Sequence, residues 1–313
     1  MTIRTLKGVI AAFVFAAAFF GVVSGQTKPT AFRAITIVTE PSASVWIDGV
    51  GWGKADKTGR MEIKTISSGA HSLRVRANGY KEKTLPLTAV QKGEISVPLI
   101  KSTDEAELAF QDGERMAFSD REKAAEAYQK AVKLRPNYHE AYVALARVLT
   151  EIGDSDGALA AISTARKLRP GYAEASAVEG RIHKENGDEA KAVAVFKRAI
   201  TEGKGFQPEA YAGLGLYYKE KAEGAGASGD FANEDLNYAE ASKNLKVSLK
   251  QLSGAPDTVV IYQLLGLIYE RQKKYDEAIA TYEEFLRIFP NSNEATAVRS
   301  FIVQIRKTMA DTP

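Results

Sequence analysis

The 313-residue chain contains no cysteine. Disulfides, thiolate metal sites, cysteine nucleophiles and a lipid-modified N-terminal cysteine are therefore excluded together. Histidine is scarce too. His71, His139 and His183 are far apart in sequence, and none has a Ser, Asp or Glu at a spacing that suggests a triad or a metal pair. No metal, cofactor or catalytic residue is expected. No stretch carries the dense Lys/Arg stripe that neutralising phosphates requires, so nucleic acid is not an expected partner. Only one long apolar run occurs, Gly8 to Val23. At about 16 residues it falls short of the ~20 that span a bilayer comfortably.

What is present fits two modest domains. The hydrophobic fraction is 45%, enough for packed cores without staples. Net charge is +3 but unevenly spread: residues 1–33 hold four basic and no acidic side chains, residues 34–100 nine and six, and residues 101–313 hold 29 and 33. Arg4 and Lys7, the apolar run, and then Val23-Ser24-Gly25 follow the order of a secretory signal. The expectation is a signal at 1–25 cleaved after Gly25, with an uncleaved anchor as the alternative. Either way the rest is exported, to periplasm or cell envelope. Residues 26–33 are polar and read as a disordered leader.

From residue 34 to 100 the apolar residues alternate. Ile35 and Ile37, Val45 and Ile47, Met61 and Ile63, Leu73 and Val75, Leu85 and Leu87, and Ile95, Val97 and Leu99 mark five or six short strands. Asp48-Gly49 and Asn78-Gly79 are turn signals. The pattern predicts a small all-β antiparallel sandwich. Trp46 is out of phase with Val45 and Ile47, which gives either an exposed stacking platform for a sugar or cell-wall component, or ordinary cover. His71 reads as a surface-pocket ligand or, more simply, as an imidazole satisfied by a turn. Pro41 to Val45, Asp48-Gly49, Gly53, Gly69-Ala-His71-Ser-Leu73 and Gly79-Tyr80 together resemble the PEGA domain, although Ser42 and Ser44 replace two of its eponymous residues. The resemblance implies a bacterial surface or envelope location and adhesion, with no catalytic residue.

From Asp104 the period becomes helical. Leu-Arg-Pro recurs at 134–136 and 168–170, 34 residues apart. Ala124/Tyr128/Ala131, Ala158/Ile162/Ala165 and Ala192/Phe196/Ala199 repeat at the same interval. Tyr142/Leu145/Ala146/Leu149, Tyr211/Leu214/Gly215/Tyr218 and Tyr262/Leu265/Gly266/Tyr269 each fall on one helix face. Gly or Ala suits a close helix crossing, and proline ends the second helix. These residues resemble the tetratricopeptide repeat. The resemblance implies an all-α superhelical solenoid over 104–308: five hairpins at about 105–138, 139–172, 173–206, 208–257 and 259–292, and a capping helix at 293–308. The first unit departs from the pattern with Gln111-Asp112-Gly113. The fourth carries an insertion at about 222–237, whose glycines read as a mobile loop.

Helical phase places Arg147, Thr150, Arg181, Lys184, Lys219, Gln263 and Glu270 in the concave groove, where a protein or peptide lies. Arg147 and Arg181 occupy equivalent places in adjacent repeats, which suggests a clamp for an acidic or C-terminal carboxylate. Pairing of these arginines with Glu140, Glu174 or Glu185 is the plainer alternative. Function then reads as a non-enzymatic, exported protein-binding scaffold. The alternative is a cell-wall or polysaccharide binder working through the β domain, with the repeats as spacer.

Overall fold

A computed structural model describes residues 32–311, so the signal and most of the leader lie outside the described residues. Among the described residues seven strands come first: β1 Phe32–Val38, β2 Ser44–Ile47, β3 Val50–Lys54, β4 Arg60–Ser67, β5 His71–Arg76, β6 Lys83–Leu87 and β7 Gly93–Ser96. They form two sheets, ordered β4-β1-β7 and β3-β2-β5-β6. One pair departs from the expected antiparallel pattern, because β1 and β7 run parallel. The long passage through the second sheet brings the chain back beside β1 running in the same direction. Asp48 and Gly49 both have positive φ, 52° and 81°, the geometry a two-residue β2–β3 turn requires and Asp-Gly favours.

The alternation places Ile35, Ile37, Ile63 and Ile95 against Val45, Ile47, Leu73 and Val75 in one apolar core. Arg33 belongs to the same inward phase as Ile35 and Ile37. It is buried, and its two terminal nitrogens donate to the carbonyls of Gly69, Thr88 and Gln91. This end of the expected leader is thus part of the sandwich, with its charge held by main chain. Trp52 is buried, whereas Trp46 lies on the outer face of the second sheet.

Eleven helices follow among the described residues: α1 Glu105–Met116, α2 Arg121–Leu134, α3 His139–Glu151, α4 Ser155–Leu168, α5 Ala173–Glu185, α6 Glu189–Glu202, α7 Pro208–Ala227, α8 Phe231–Leu252, α9 Thr258–Arg271, α10 Tyr275–Ile288 and α11 Ala295–Asp311. The aspartates Asp104, Asp120, Asp154 and Asp230 cap α1, α2, α4 and α8 by accepting from first-turn amides. The first helix of a hairpin packs on the second through the small residue singled out by the repeat. A Cβ on Gly180 would come within 2.6 Å of the Phe196 ring, and one on Gly266 within 2.2 Å of Tyr282. Gly113 does the same against Tyr128 at 2.6 Å, so the irregular first unit keeps its crossing residue. No helix among the described residues is long and apolar enough to cross a membrane.

The insertion at 222–237 is not a loop. It lengthens α7 and α8, and only Ser228 to Asp230 separate them. Ala222 and Tyr238 are buried between the lengthened helices. A Cβ on Gly226 would meet the Glu234 carboxyl at 2.7 Å. Gly224 and Gly226 thus lie within α7 and Gly229 in the short turn, at φ 80°, so a glycine-rich composition misleads when read as flexibility.

Sandwich and array form one unit. At one end the Gln111 side chain accepts from the Gly79 amide and donates to the Tyr80 carbonyl. The Glu82 amide donates to Glu107. Arg76, 6% exposed, pairs with Glu114 and Glu82 and lies over the Phe110 ring at 4.6 Å. At the other end Thr65 of β4 stands against Gly254 in the turn between α8 and α9. The sandwich therefore touches both the first hairpin and the fourth.

Candidate functional site: the cleft between sandwich and repeats

Between those two contacts lies a cleft of about 1140 Å³. Its sheet side is the outer face of β2 and β5, with Trp46, Arg74 and Arg76. Its helix side is made by α1, α3, α5, α7 and α9, the first helices of the five hairpins. The repeat makes the helix side legible. Six residues before the crossing Gly or Ala stand Glu107, Glu140, Glu174, Glu209 and Val260, and one residue after it stand Glu114, Arg147, Arg181, Leu216 and Leu267; all but Glu107, Arg181 and Leu267 line the cleft. The cleft therefore grades from charged to apolar along the array.

Its charged half is internally neutralised. Arg147 makes a bidentate pair with Glu209, Nη1 to Oε1 at 2.8 Å and Nη2 to Oε2 at 2.6 Å, and also reaches Glu174 at 3.4 Å. Burial works against the Glu209 carboxylate, but the Arg147 guanidinium outweighs it and holds the group below the usual range. Arg74 extends the same pattern from the sandwich: it lies 3.7 Å from Glu140 and 4.5 Å above the Trp46 ring. The apolar half is open. Val260 is 59% exposed and Phe206 43%, and Leu216 and Leu264 complete the wall. Asp257 sits one turn before Val260. It makes no cap bond to its own helix and no ion pair or hydrogen bond among the described residues. Partial burial, and secondly the Glu209 charge, push this carboxyl up.

Of the seven residues placed in the groove from sequence, Arg147 alone lines this cleft. Thr150 is buried and donates to the Ala146 carbonyl. Arg181 lies 3.8 Å from Glu185, and its buried Nε and Nη2 have no hydrogen-bond partner. Lys184 pairs with Glu220 and Lys219 with Glu223, at 2.6 and 2.7 Å. Gln263 is half-buried, and Glu270 accepts from the Tyr282 hydroxyl. The plainer alternative, arginines paired within the chain, describes Arg147 with Glu174 and Arg181 with Glu185. What sequence reading missed is the Glu107/Glu140/Glu174/Glu209 ladder, whose interval of about one repeat was visible, and the sandwich as the opposite wall, which no local pattern announces. His71 is satisfied by Asp48 at 2.6 Å and the Ser67 carbonyl at 3.0 Å. No group of acids and histidines among the described residues is arranged to hold a metal.

Comparison with known proteins bears on the helical region. Models of the family described as Tetratricopeptide repeat match residues 115–182, 173–202 and 259–292. Residues 115–202 and 259–292 are tetratricopeptide repeats. Such repeats point to a scaffold for protein–protein interaction. No curated protein matches the chain. Among solved structures, yeast Tom70 is 17% identical with a TM-score of 0.53, over 66% of this chain and 41% of its own. TTC0263, a thermophilic TPR protein of Thermus thermophilus, is 21% identical with a TM-score of 0.47, over 64% of this chain and 98% of its own. MamA is also 21% identical, with a TM-score of 0.41 over 62% and 96%. The likeness to Tom70 is one of fold, and this chain spans less than half of it.

Proposed function

We propose that this chain is an exported, non-enzymatic scaffold that holds a segment of a partner protein in the cleft between its sandwich and its tetratricopeptide repeats. The carrying observation is the open apolar wall of α7 and α9. Val260 and Phe206 are exposed inside a recess of about 1140 Å³, and apolar surface left uncovered in a concave site marks where a partner binds. An acidic client would have to displace Glu209, Glu174 and Glu185 from Arg147 and Arg181, so charge does not favour the carboxylate clamp.

The sandwich supports a PEGA-type reading in one respect. The residues that carry the resemblance have structural work: Asp48 and His71 tie β2 to β5, and Gly79-Tyr80 receive Gln111. For cell-wall binding the free stacking surface is missing, because Arg74 covers Trp46 within the cleft. Export follows from residues 1–25. N-terminal sequencing of the protein from the envelope fraction should begin at Gln26; a chain beginning at Met1 in the cytosol would reject export.

The scaffold reading is tested by affinity capture from envelope extracts with the immobilised chain and its Val260→Glu variant. A protein retained by the first and lost by the second is the expected result. Equal retention by both removes the cleft from the function.

A further inference from the structure

The chemistry of the partner segment can be taken further, on the reading that the cleft is where it binds. The charges around the cleft divide into those already spent and those left over. Arg74, Arg76, Arg115 and Arg147 are each ion-paired within the chain. Glu114, Glu140, Glu174 and Glu209 are their partners or share them. Two lining charges remain without a partner among the described residues: Lys54 on the sheet side and Asp257 on the helix side. They are not equivalent. Asp257, Val260, Ile261 and Leu264 stand at i, i+3, i+4 and i+7 along the start of α9, one continuous face of a helix. The uncompensated carboxylate is therefore set directly beside the exposed apolar wall, and Lys54 is not.

We infer that the cleft takes a protein segment whose apolar side chains lie on Leu216, Val260 and Leu264 and whose adjacent Lys or Arg pairs with Asp257. The sign is opposite to the one that the groove arginines suggest from sequence. Those arginines are bound to the array's own carboxylates, and a cation loses nothing by leaving them in place. The sheet side supplies a reporter. Trp46 lines the cleft and the other tryptophan, Trp52, is buried in the sandwich, so ligand-dependent emission comes from the cleft.

The test is a titration of the purified chain, followed by tryptophan emission and by calorimetry, with two synthetic ten-residue peptides. Both carry the same alternating Leu and Phe; one is flanked by lysines, the other by glutamates. The basic peptide should bind at least tenfold more tightly. Asp257→Asn should remove most of that preference, and Val260→Gln should weaken both peptides. Tighter binding of the acidic peptide, or an unchanged preference in Asp257→Asn, overturns the inference. So does the absence of binding by either. The two readings fail separately: if envelope capture yields a partner whose retention ignores Asp257→Lys but responds to Val260→Glu, the cleft is the site and the charge assignment is wrong, whereas equal retention by wild type and Val260→Glu removes the cleft itself.

Discussion

The two ends of the concave face use the same repeat positions for different purposes. In the first three hairpins those positions hold Glu107/Glu114, Glu140/Arg147 and Glu174/Arg181. In the fourth they hold Glu209/Leu216, and in the fifth Val260/Leu267. The N-terminal end is charged, and its charges are consumed, partly by the next hairpin and partly by Arg74 and Arg76 of the sandwich. The C-terminal end is apolar and bare. A periodic scaffold fixes where side chains point; what each position does depends on whether a neighbour already answers it. Half of this groove ties the molecule together, and the other half is left uncovered.

The sharpest way to break that contrast is at Arg76. It is 6% exposed, pairs with Glu82 and Glu114, and is flanked by the Phe110 and Trp46 rings. Arg76→Ala strands Glu114 at the sandwich–array junction and leaves Glu82 with Arg74 alone, at 3.9 Å. Breaking a buried pair in this way costs about 3–5 kcal/mol. Chemical denaturation should show that loss, with amide exchange rising first in α1 and β5. A loss under ~1 kcal/mol would mean the junction is not what holds the N-terminal end. Gln111→Ala is the next step down. It leaves the Gly79 N–H and the Tyr80 carbonyl unpaired, a penalty of about 1–3 kcal/mol, with no change of charge.

The matched pair Arg147 and Arg181 sharpens the comparison within the charged half. Arg147→Ala removes a bidentate pair that is partly exposed, which should cost about 1–2 kcal/mol. Arg181→Ala should be near neutral, because it loses only the 3.8 Å ion pair with Glu185 and no hydrogen bond from its buried Nε and Nη2. The Arg147 deficit should depend on pH. Glu209 is held below its unfolded value of ~4.3, so its contribution is present above that value and vanishes as pH falls through the lower folded value. Melting series of wild type and Arg147→Ala should therefore converge in acid. A constant gap would assign the loss to packing.

Much of this was legible in sequence, and the failures share a cause. Periodicity pointed to both folds because the crossing glycines and the alternating isoleucines report local geometry. The strand phase even held for Arg33, which composition had assigned to a leader. The insertion misled because two of its glycines, Gly224 and Gly226, sit inside a lengthened helix and only Gly229 in a turn, an arrangement that composition cannot separate from a flexible loop. The groove residues misled for a longer-range reason. Arg147 meets Glu209 across two hairpins, and Trp46 and Arg74 reach the array from another fold altogether. Helical phase says that a side chain faces the groove, but superhelical curvature and domain docking decide what it finds there.

The smallest expected effect on stability belongs to the residue with the largest claim on function. Val260 is 59% exposed, so Val260→Gln removes little buried surface and should change stability by less than ~0.5 kcal/mol. The equivalent Glu209 cannot be replaced so cheaply, because Arg147 depends on it. Thermal melts of Val260→Gln and Glu209→Gln made side by side should thus separate a bare position from an occupied one at the same place in the repeat. Equal losses would mean that Val260 is covered within the chain, and the apolar end of the cleft would then have no vacancy for a partner.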